Sequence, residues 1–184
     1  SRFLLTRGLF LVILDPTFIR FSWFWDVNWR FTFGQVIWAI GWSMIVLAGL
    51  IHLPRWIVAV LAVGMIATHN LLDGISPSDD TAWGMLWHVL HVRGLIEPVE
   101  GVQFWVMYPL IPWIGVLAAG YVFGSIVTLG PARRRRWFMM LGLSMIAAFI
   151  VLRGPNLYGD PRPWEPQKNA LFTVYSMLNC EKYP

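Results

Sequence analysis

Residues 35–53 read QVIWAIGWSMIVLAGLIHL, a run of nineteen residues without an Asp, Glu, Lys or Arg. A run of this length and composition matches the hydrocarbon thickness of a bilayer and is typical of a transmembrane helix. A second apolar run, residues 56–72, follows after the turn Leu53-Pro54-Arg55. Because proline interrupts the helix at this turn, the two runs predict a helical hairpin embedded in a membrane.

The composition of the whole chain supports this interpretation. Of its 184 residues, 57% are apolar and only 13% are charged, and the mean hydropathy is +0.58. Soluble domains carry about 25% charged residues, so this chain has too few polar side chains to face water on every side. A water-soluble fold is therefore excluded. The length allows five or six membrane crossings within one transmembrane domain that covers residues 1–184.

Three further apolar runs flank the hairpin. The first contains charged residues and must therefore pack against other helices, and another has Pro109 and Pro112 in its first turns, where proline is tolerated. Residues 83–91 and 169–180 predict short amphipathic helices at the membrane surface. The predicted fold class is all-α, a polytopic integral membrane helical bundle. Its five predicted transmembrane helices are residues 3–21, 35–53, 56–72, 104–129 and 137–152.

Charged residues divide unequally between the two sides that five crossings define. One side receives Arg2, Arg55 and the cluster Arg133, Arg134, Arg135 and Arg136, whereas the other receives nine of the ten acidic residues. Since positively charged loops stay in the cytoplasm, the loop of residues 133–136 is predicted to be cytoplasmic, with His69 and residues 158–164 facing outward. The net charge of +4 is thus explained by membrane orientation, and no nucleic-acid partner is predicted.

His69 and Asp73 are candidate catalytic residues at the end of the third predicted span. They are four residues apart, so a helix would present the imidazole and the carboxylate on one face, with Asn70 beside them. A carboxylate on one imidazole nitrogen fixes the tautomer and raises the basicity of the ring, as acyl transfer to an alcohol or amine requires. The alternative is a polar helix end, in which His69 and Asn70 satisfy free carbonyl groups.

Residues 158–164 read YGDPRPW and combine a turn with groups that suit a sugar ligand. Asp160 and Arg162 can hydrogen-bond hydroxyl groups, Trp164 can cover a pyranose face, and Tyr158 opens the loop. These four residues and Asn70 are the candidate substrate-binding residues. The alternative is a rigid turn at the membrane surface with Trp164 as an interfacial anchor.

Two other clusters favour a structural role. His88 and His91 are three residues apart but lack a third ligand at a firm spacing, so no metal site is predicted. Arg7, Asp15 and Arg20 interrupt the first span, and ion pairing inside the bundle is favoured over the binding of a cofactor phosphate.

Five short segments, taken in order, carry a family resemblance. They are RGL at residues 7–9, QVIWAIG at 35–41, HNLLD at 69–73, YPLIPWIG at 108–115 and YGDPRPW at 158–164. In this order and at this spacing, the chain resembles bacterial membrane proteins of the heparan-alpha-glucosaminide N-acetyltransferase-like family. The resemblance covers nearly the whole chain.

The resemblance implies an activity and a cellular setting. It implies a protein of the bacterial cytoplasmic (inner) membrane that transfers an acetyl or acyl group from cytoplasmic acetyl-CoA, or another acyl-CoA, to an external sugar or glycan. It also implies that the sequence is the middle portion of a longer protein, with the proposed catalytic histidine on a preceding segment and with His69 and Asp73 in supporting roles. The alternative function is that of a non-catalytic accessory subunit, packed against other membrane protein subunits.

Overall fold

A computed structural model of the chain describes residues 1–78, 81–156, 158 and 163–180. The described chain is mostly helical. It divides into two compact units, Ser1–Phe123 and Gly124–Pro184. The single transmembrane domain stays a prediction.

The first unit begins with one long helical segment. Helix α1 spans Arg2–Leu14, continues through a π-helical turn at Asp15–Ile19, and ends as α2, Arg20–Phe24. Pro16 cannot donate the backbone hydrogen bond of a regular α-helix, and a wider turn accommodates the missing donor. This segment contains the predicted first span, residues 3–21.

The predicted hairpin is present as helices α3, Val36–Leu50, and α4, Arg55–Thr68. A short 3₁₀ turn, His69–Leu72, extends α4 to its predicted end. The tight turn at Pro54 joins the two helices, as the sequence predicts.

Helix α1 packs against α3 through two glycines. A Cβ atom placed on Gly8 would lie 2.7 Å from the Gly41 carbonyl oxygen, and one placed on Gly41 would lie 2.7 Å from the Gly8 carbonyl oxygen. The two backbones are therefore in direct contact, as small residues permit in membrane helix pairs. The prediction that the charged first segment packs against another helix is confirmed.

Three short strands form a mixed sheet in this unit: β1, Phe31–Gly34, β2, Gly94–Val99, and β3, Val102–Val106. Strand β3 lies in the centre, parallel to β1 and antiparallel to β2. Gly101 turns the β2–β3 hairpin with a φ of +76°, a conformation that side-chain-bearing residues rarely adopt. The all-α prediction is corrected here, because short apolar strands cannot be distinguished from helix by apolarity alone.

The predicted start of the fourth span, residues 104–129, is also corrected, because apolarity did not distinguish a strand from the helix that follows it. Phe104 and the residues up to Val106 belong to β3, and helix α6 covers Leu110–Val127. Pro112 lies in the first turn of this helix, as predicted, whereas Pro109 directly precedes the helix. The predicted surface helix of residues 83–91 is present as α5, Ala82–Leu90.

The core of the first unit lies where α3, α4 and α6 meet. Its buried members are Leu47, Val58, Ala62 and Ala118. A Cβ atom on Gly115 would lie 3.0 Å from the Ala62 carbonyl oxygen, so α6 also approaches α4 at backbone distance.

These contacts give the first unit two ends. Leu4 of α1 packs against the core cluster around Leu47, near the C-terminus of α3, so α1 and α3 run antiparallel. Arg2 and Arg55 therefore lie together at one end, which we call the arginine end. The sheet, the loop before it and the segment from His69 to α5 lie at the opposite end, which we call the sheet end.

The second unit contains helices α7, Pro131–Arg153, and α8, Ala170–Leu178. Helix α7 begins before the predicted residue 137, so residues 133–136 form helical turns and not the predicted loop. The helix begins early because Pro131 suits the first helical position and arginine is a good helix former. The prediction placed the start later because hydropathy excludes charged residues from a span. Helix α8 confirms the helix predicted within residues 169–180.

Three segments of the described chain are long and apolar enough to cross a membrane: Arg55–Leu72, Leu110–Val127 and Pro131–Arg153. Helix α3 is apolar but shorter. The prediction of five spans is therefore not confirmed. The protein is nevertheless an integral membrane protein, and these helices contact lipid.

Candidate functional site

His69 and Asp73 lie at the sheet end but do not form the predicted pair. Nδ1 of His69 is 2.8 Å from the Ile66 carbonyl oxygen, and because a carbonyl only accepts, the ring nitrogen donates. A 3₁₀ helix has three residues per turn, so two residues that are four positions apart do not share a face. His69 thus satisfies a carbonyl group at the end of α4, as the alternative interpretation of the sequence predicts.

Asp73 instead pairs with His91, the residue that follows α5. Oδ1 of Asp73 is 2.9 Å from Nε2 of His91. The His91 side chain is only 1% exposed, whereas the Asp73 side chain is 58% exposed. The pair therefore connects a buried imidazole to a solvent-facing carboxylate. Nδ2 of Asn70 lies 3.4 Å from the other oxygen of Asp73, which places the amide beside the pair.

The hydrogen-bond pattern indicates the tautomer of a neutral His91 ring. Because an ionised carboxylate only accepts, the Nε2 of His91 carries the proton shared with Asp73. Nδ1 is buried and has no hydrogen-bond partner within the described part of the chain. In a neutral ring this nitrogen has a free lone pair, which is the state in which an imidazole accepts a proton.

Helix α5 positions the His91 ring. The Thr81 hydroxyl caps the helix by accepting a hydrogen bond from the Gly84 N–H at 3.0 Å. Trp87 lies one helical turn before His91, and the centres of the two rings are 5.2 Å apart. The Trp87 indole N–H donates to the Ile75 carbonyl at 2.9 Å, which fastens the segment after Asp73 onto α5.

His88 has a different environment. Its Nδ1 is 3.2 Å from the Val92 carbonyl oxygen, and its ring occupies the space that a side chain at Gly94 would need. His88 thus shapes the junction between α5 and β2. Among the residues that the structure describes, no group of three His, Cys, Asp or Glu side chains could hold a metal ion.

His91 is a candidate acid–base residue that the sequence does not single out, and the structure places it beside Asp73. His91 and Asp73 belong to different elements of the fold, so no helical or strand spacing relates the two positions. The one local signal was the four-residue spacing between Trp87 and His91, which places both rings on the same face of α5.

The second predicted site, the loop of residues 158–164, lies in the Gly124–Pro184 unit. Asp160 and Arg162 fall outside the described residues, and Tyr158 is half-buried. The Trp164 indole N–H donates to the carbonyl groups of Arg153 and Gly154 at 3.0 and 3.1 Å. Because these carbonyls lie at the end of α7, Trp164 closes that helix end. The rigid turn of the alternative interpretation stays a prediction, since residues 159–162 lie outside the described residues.

Two further side chains complete this closure. The Asn156 side-chain amide donates to the Trp164 carbonyl at 3.0 Å and accepts from the backbone N–H of Trp164 at 3.1 Å. The buried Arg153 guanidinium donates to the carbonyls of Met177 and Asn179 at 3.2 and 3.1 Å. The residues after α7 are therefore tied back to the end of that helix.

Arg20 of the first segment is buried at the sheet end. Its guanidinium donates to the carbonyls of Asp26, Asn28 and Phe31 and pairs with the Asp26 carboxylate at 3.2 Å. The Trp29 ring lies over the same group, 5.2 Å from its central carbon to the ring centre. Arg20 therefore organises the loop that leads into β1.

Asp15 is fully buried at the same end. Its carboxylate accepts hydrogen bonds from the backbone N–H groups of Gln35 at 2.5 Å and Trp38 at 3.2 Å. These N–H groups open α3, so Asp15 caps this helix from a neighbouring helical segment. The ion pairing predicted among Arg7, Asp15 and Arg20 is therefore corrected: Arg20 pairs with Asp26 of the following loop, and Asp15 caps α3.

A family comparison matches most of this chain. The family model described as heparan-alpha-glucosaminide N-acetyltransferase, catalytic, matches residues 4–157, well over half of the sequence. The chain belongs to this family. The resemblance inferred from the five segments is therefore confirmed, although no curated protein and no solved structure matches the chain.

Membership of the heparan-alpha-glucosaminide N-acetyltransferase family gives the chain a function at a coarse level. With its apolar helices, it is a membrane protein of acetyltransferase-like function. The matched region includes the Asp73–His91 pair. It also includes Gly8 and Gly41, so two of the segments that carry the resemblance meet at the contact between α1 and α3.

Proposed function

We propose that this protein transfers an acetyl or other acyl group from acetyl-CoA, or another acyl-CoA, to the amine or hydroxyl group of a sugar or glycan. The family match over residues 4–157 carries this proposal. In this reaction the acceptor nitrogen or oxygen bonds to the thioester carbonyl carbon, the C–S bond breaks, and coenzyme A leaves as the thiol. The proton of the acceptor passes to a base and from the base to the departing thiolate, and a positioned base typically contributes about 10²-fold or more.

The Asp73–His91 pair supports the acid–base part of this proposal. The carboxylate stabilises a positive charge on His91, and Nδ1 of the ring has a lone pair that no described residue uses. His69 and Asn70 belong to the same turn: the His69 ring bonds the Ile66 carbonyl, and the Asn70 amide lies beside the Asp73 carboxylate and supports the pair. Tyr158, Asp160, Arg162 and Trp164 stay the proposed acceptor-binding residues.

The orientation of the reaction follows from the two ends of the first unit. Arg2 and Arg55 lie at the arginine end, and Asp26 and Asp73 lie at the sheet end, which supports a cytoplasmic arginine end. We therefore place the acceptor outside the cytoplasmic membrane of a bacterial cell. The arginines at residues 133–136 begin α7 and suit the phosphate groups of a cytoplasmic acyl-CoA donor.

The test is an acyl-transfer assay on the native protein in membrane vesicles, with radiolabelled acetyl-CoA and amino-sugar acceptors. Asp73→Asn and His91→Gln should each lower the turnover number by about 10²-fold, because a positioned base is lost or misoriented. His69→Ala should have a smaller effect, since its ring nitrogen bonds a backbone carbonyl.

The matched control is His52→Ala, a histidine exposed in the turn at the arginine end. It should leave transfer unchanged. Full transfer by both Asp73→Asn and His91→Gln would remove the pair from the mechanism. Absence of transfer by the unaltered protein to amino sugars and to sugar hydroxyls would refute the proposed function itself.

A further inference from the structure

A recess of about 250 Å³ lies on one face of α7, near the beginning of the helix. The residues that line it are Arg133, Arg136, Trp137 and Met140. Their spacing of three and four residues places the four side chains on a common helix face. None of them belongs to the Asp73–His91 pair, so the recess is a separate feature of the second unit.

The two arginines give the recess a positive charge that no acidic side chain nearby balances. Residues 101–159 contain no Asp or Glu. Within the described part of the chain, neither Arg133 nor Arg136 forms an ion pair, and both side chains are exposed. A guanidinium group in this state suits a phosphate, which it can bind through two parallel hydrogen bonds.

The other two lining residues are apolar and lie further along the helix. Trp137 and Met140 are exposed, and α7 continues beyond them as a helix apolar enough to cross a membrane. Because an α-helix rises about 1.5 Å per residue, Arg133 and Met140 are about 10 Å apart along the axis. The headgroup layer on each side of a bilayer is about 5–8 Å thick. Met140 therefore reaches the hydrocarbon when Arg133 lies among the headgroups.

We propose that this recess binds an anionic phospholipid, with its phosphate group on Arg133 and Arg136 and the beginning of a hydrocarbon chain against Trp137 and Met140. The order of these side chains along the helix selects the ligand, because a phospholipid joins its phosphate to its chains through a short glycerol. Coenzyme A also carries phosphates, but a long polar pantetheine arm separates them from the acyl group.

The charge of the recess selects the headgroup. A zwitterionic lipid would bring a choline or ethanolamine cation close to two guanidinium groups that have no acidic partner, whereas an anionic lipid brings a net negative charge. Arginines near a membrane surface attract anionic lipids for this reason. The lipid site goes beyond the proposed acyl transfer and does not depend on it.

The test uses the native protein in phosphatidylcholine nanodiscs and two photoreactive lipids, a phosphatidylglycerol and a phosphatidylcholine. Both lipids carry a diazirine at the same position of the same acyl chain. Titration of each lipid, followed by mass spectrometry of the labelled peptides, gives an apparent dissociation constant at residues 137–140. Phosphatidylglycerol should bind there about fivefold more tightly or better. Coenzyme A added to the solution should not displace it.

Adjacent arginines provide a matched comparison. Arg136→Gln removes a charge that lines the recess, whereas Arg135→Gln removes the same charge from the opposite side of the helix. Arg136→Gln should weaken phosphatidylglycerol labelling about fivefold, as the loss of one arginine beside an anionic headgroup implies. Arg135→Gln should change it by less than about twofold, because the lipid phosphate lies on the other face.

Adjacent methionines test the hydrocarbon part of the site in the same manner. Met140→Ala shortens a lining side chain and should weaken phosphatidylglycerol labelling about threefold through the lost apolar contact. Met139→Ala alters an exposed methionine that does not line the recess, and it should leave labelling unchanged. The substituted side chains are all exposed, so the variants should fold, and a melting temperature in detergent confirms that they do.

Equal labelling by the two lipids would overturn the proposal, as would equal losses in Arg135→Gln and Arg136→Gln. Equal losses in Met139→Ala and Met140→Ala would remove the chain from the recess and overturn it as well. Displacement of phosphatidylglycerol by coenzyme A would assign the arginines to the acyl donor instead. Because labelling needs no turnover, its failure would leave the proposed acyl transfer intact, and failure of acyl transfer would leave the lipid site intact.

Discussion

The Ser1–Phe123 and Gly124–Pro184 units both contain a long apolar helix, but they bury these helices to very different extents. Six of the fifteen residues of α3 are buried, whereas Arg153 is the single buried residue among the 23 of α7. Both helices are apolar enough to favour lipid over water, so apolarity does not account for the difference. The contacts of the two helices do differ: Gly41 brings the α3 backbone against α1, and Leu47 of α3 joins the core cluster, whereas Gly142 of α7 has no neighbour within 4 Å.

The comparison extends to the polar ends of the helices. In the first unit, Arg20 and Asp15 hold the loop before β1 and the first turn of α3 through backbone groups. In the second unit, Arg153 and Trp164 hold the chain after α7 in the same manner. Both units thus use buried side chains to satisfy backbone groups where the chain leaves its apolar helices. The first unit adds direct contact between helix backbones.

The first test of this comparison replaces one glycine in each unit by alanine. Gly41→Ala should destabilise the protein by about 2 kcal/mol, because its Cβ would lie 2.7 Å from the Gly8 carbonyl oxygen and the helices must move apart. Gly142→Ala should cost nothing measurable, since the added methyl group meets open space. Thermal unfolding in detergent measures both. Equal effects at the two glycines would mean that close contact between α1 and α3 does not distinguish the units.

A second test replaces each of the two buried arginines, Arg20 and Arg153, by lysine. Arg20→Lys should cost about 3 kcal/mol, because an ammonium group cannot reach three carbonyls and a carboxylate in the geometry of a planar guanidinium. Arg153→Lys should cost about 1 kcal/mol, since the carbonyls of Met177 and Asn179 end an exposed helix and water can replace the lost donors. Chemical denaturation in detergent gives both values. A larger effect at Arg153 would reverse the ranking of the two units.

Much of the fold could be predicted because apolar length and punctuation are local properties. The hairpin of α3 and α4, the short helix α5 and the helix α8 all follow from runs of side chains and the breaks between them. The sheet could not be predicted in the same way. Strand β3 lies within an apolar run that continues into α6, and its pairing with β1 joins residues about seventy positions apart.

The candidate site was predicted in part for a similar reason. Asp73 was predicted as a site residue because His69 lies four residues before it, at a helical spacing. In the structure these residues form a 3₁₀ turn, and Asp73 instead contacts His91. The contact between Gly8 and Gly41 likewise depends on which helices become neighbours. Spacing along one element is visible in a sequence, whereas the pairing of two elements depends on packing.

The smallest expected effect concerns Trp164, where the two interpretations of residues 158–164 differ. Trp164→Phe keeps an aromatic ring but removes the indole N–H, so the carbonyls of Arg153 and Gly154 lose a donor. Because both carbonyls lie at a helix end, water can replace part of this interaction, and the expected loss of stability is about 1 kcal/mol.

The control for this variant is Trp137→Phe, on α7, whose exposed side chain should tolerate the change. If Trp164 also covers a sugar face, Trp164→Phe should raise the KM for the acceptor only slightly, because phenylalanine still stacks, whereas Trp164→Leu should raise it strongly. An unchanged melting temperature together with a strongly raised KM in Trp164→Phe would contradict the helix-closing role. It would assign the indole N–H to the acceptor, because a group that holds a helix end must contribute to stability before any ligand binds.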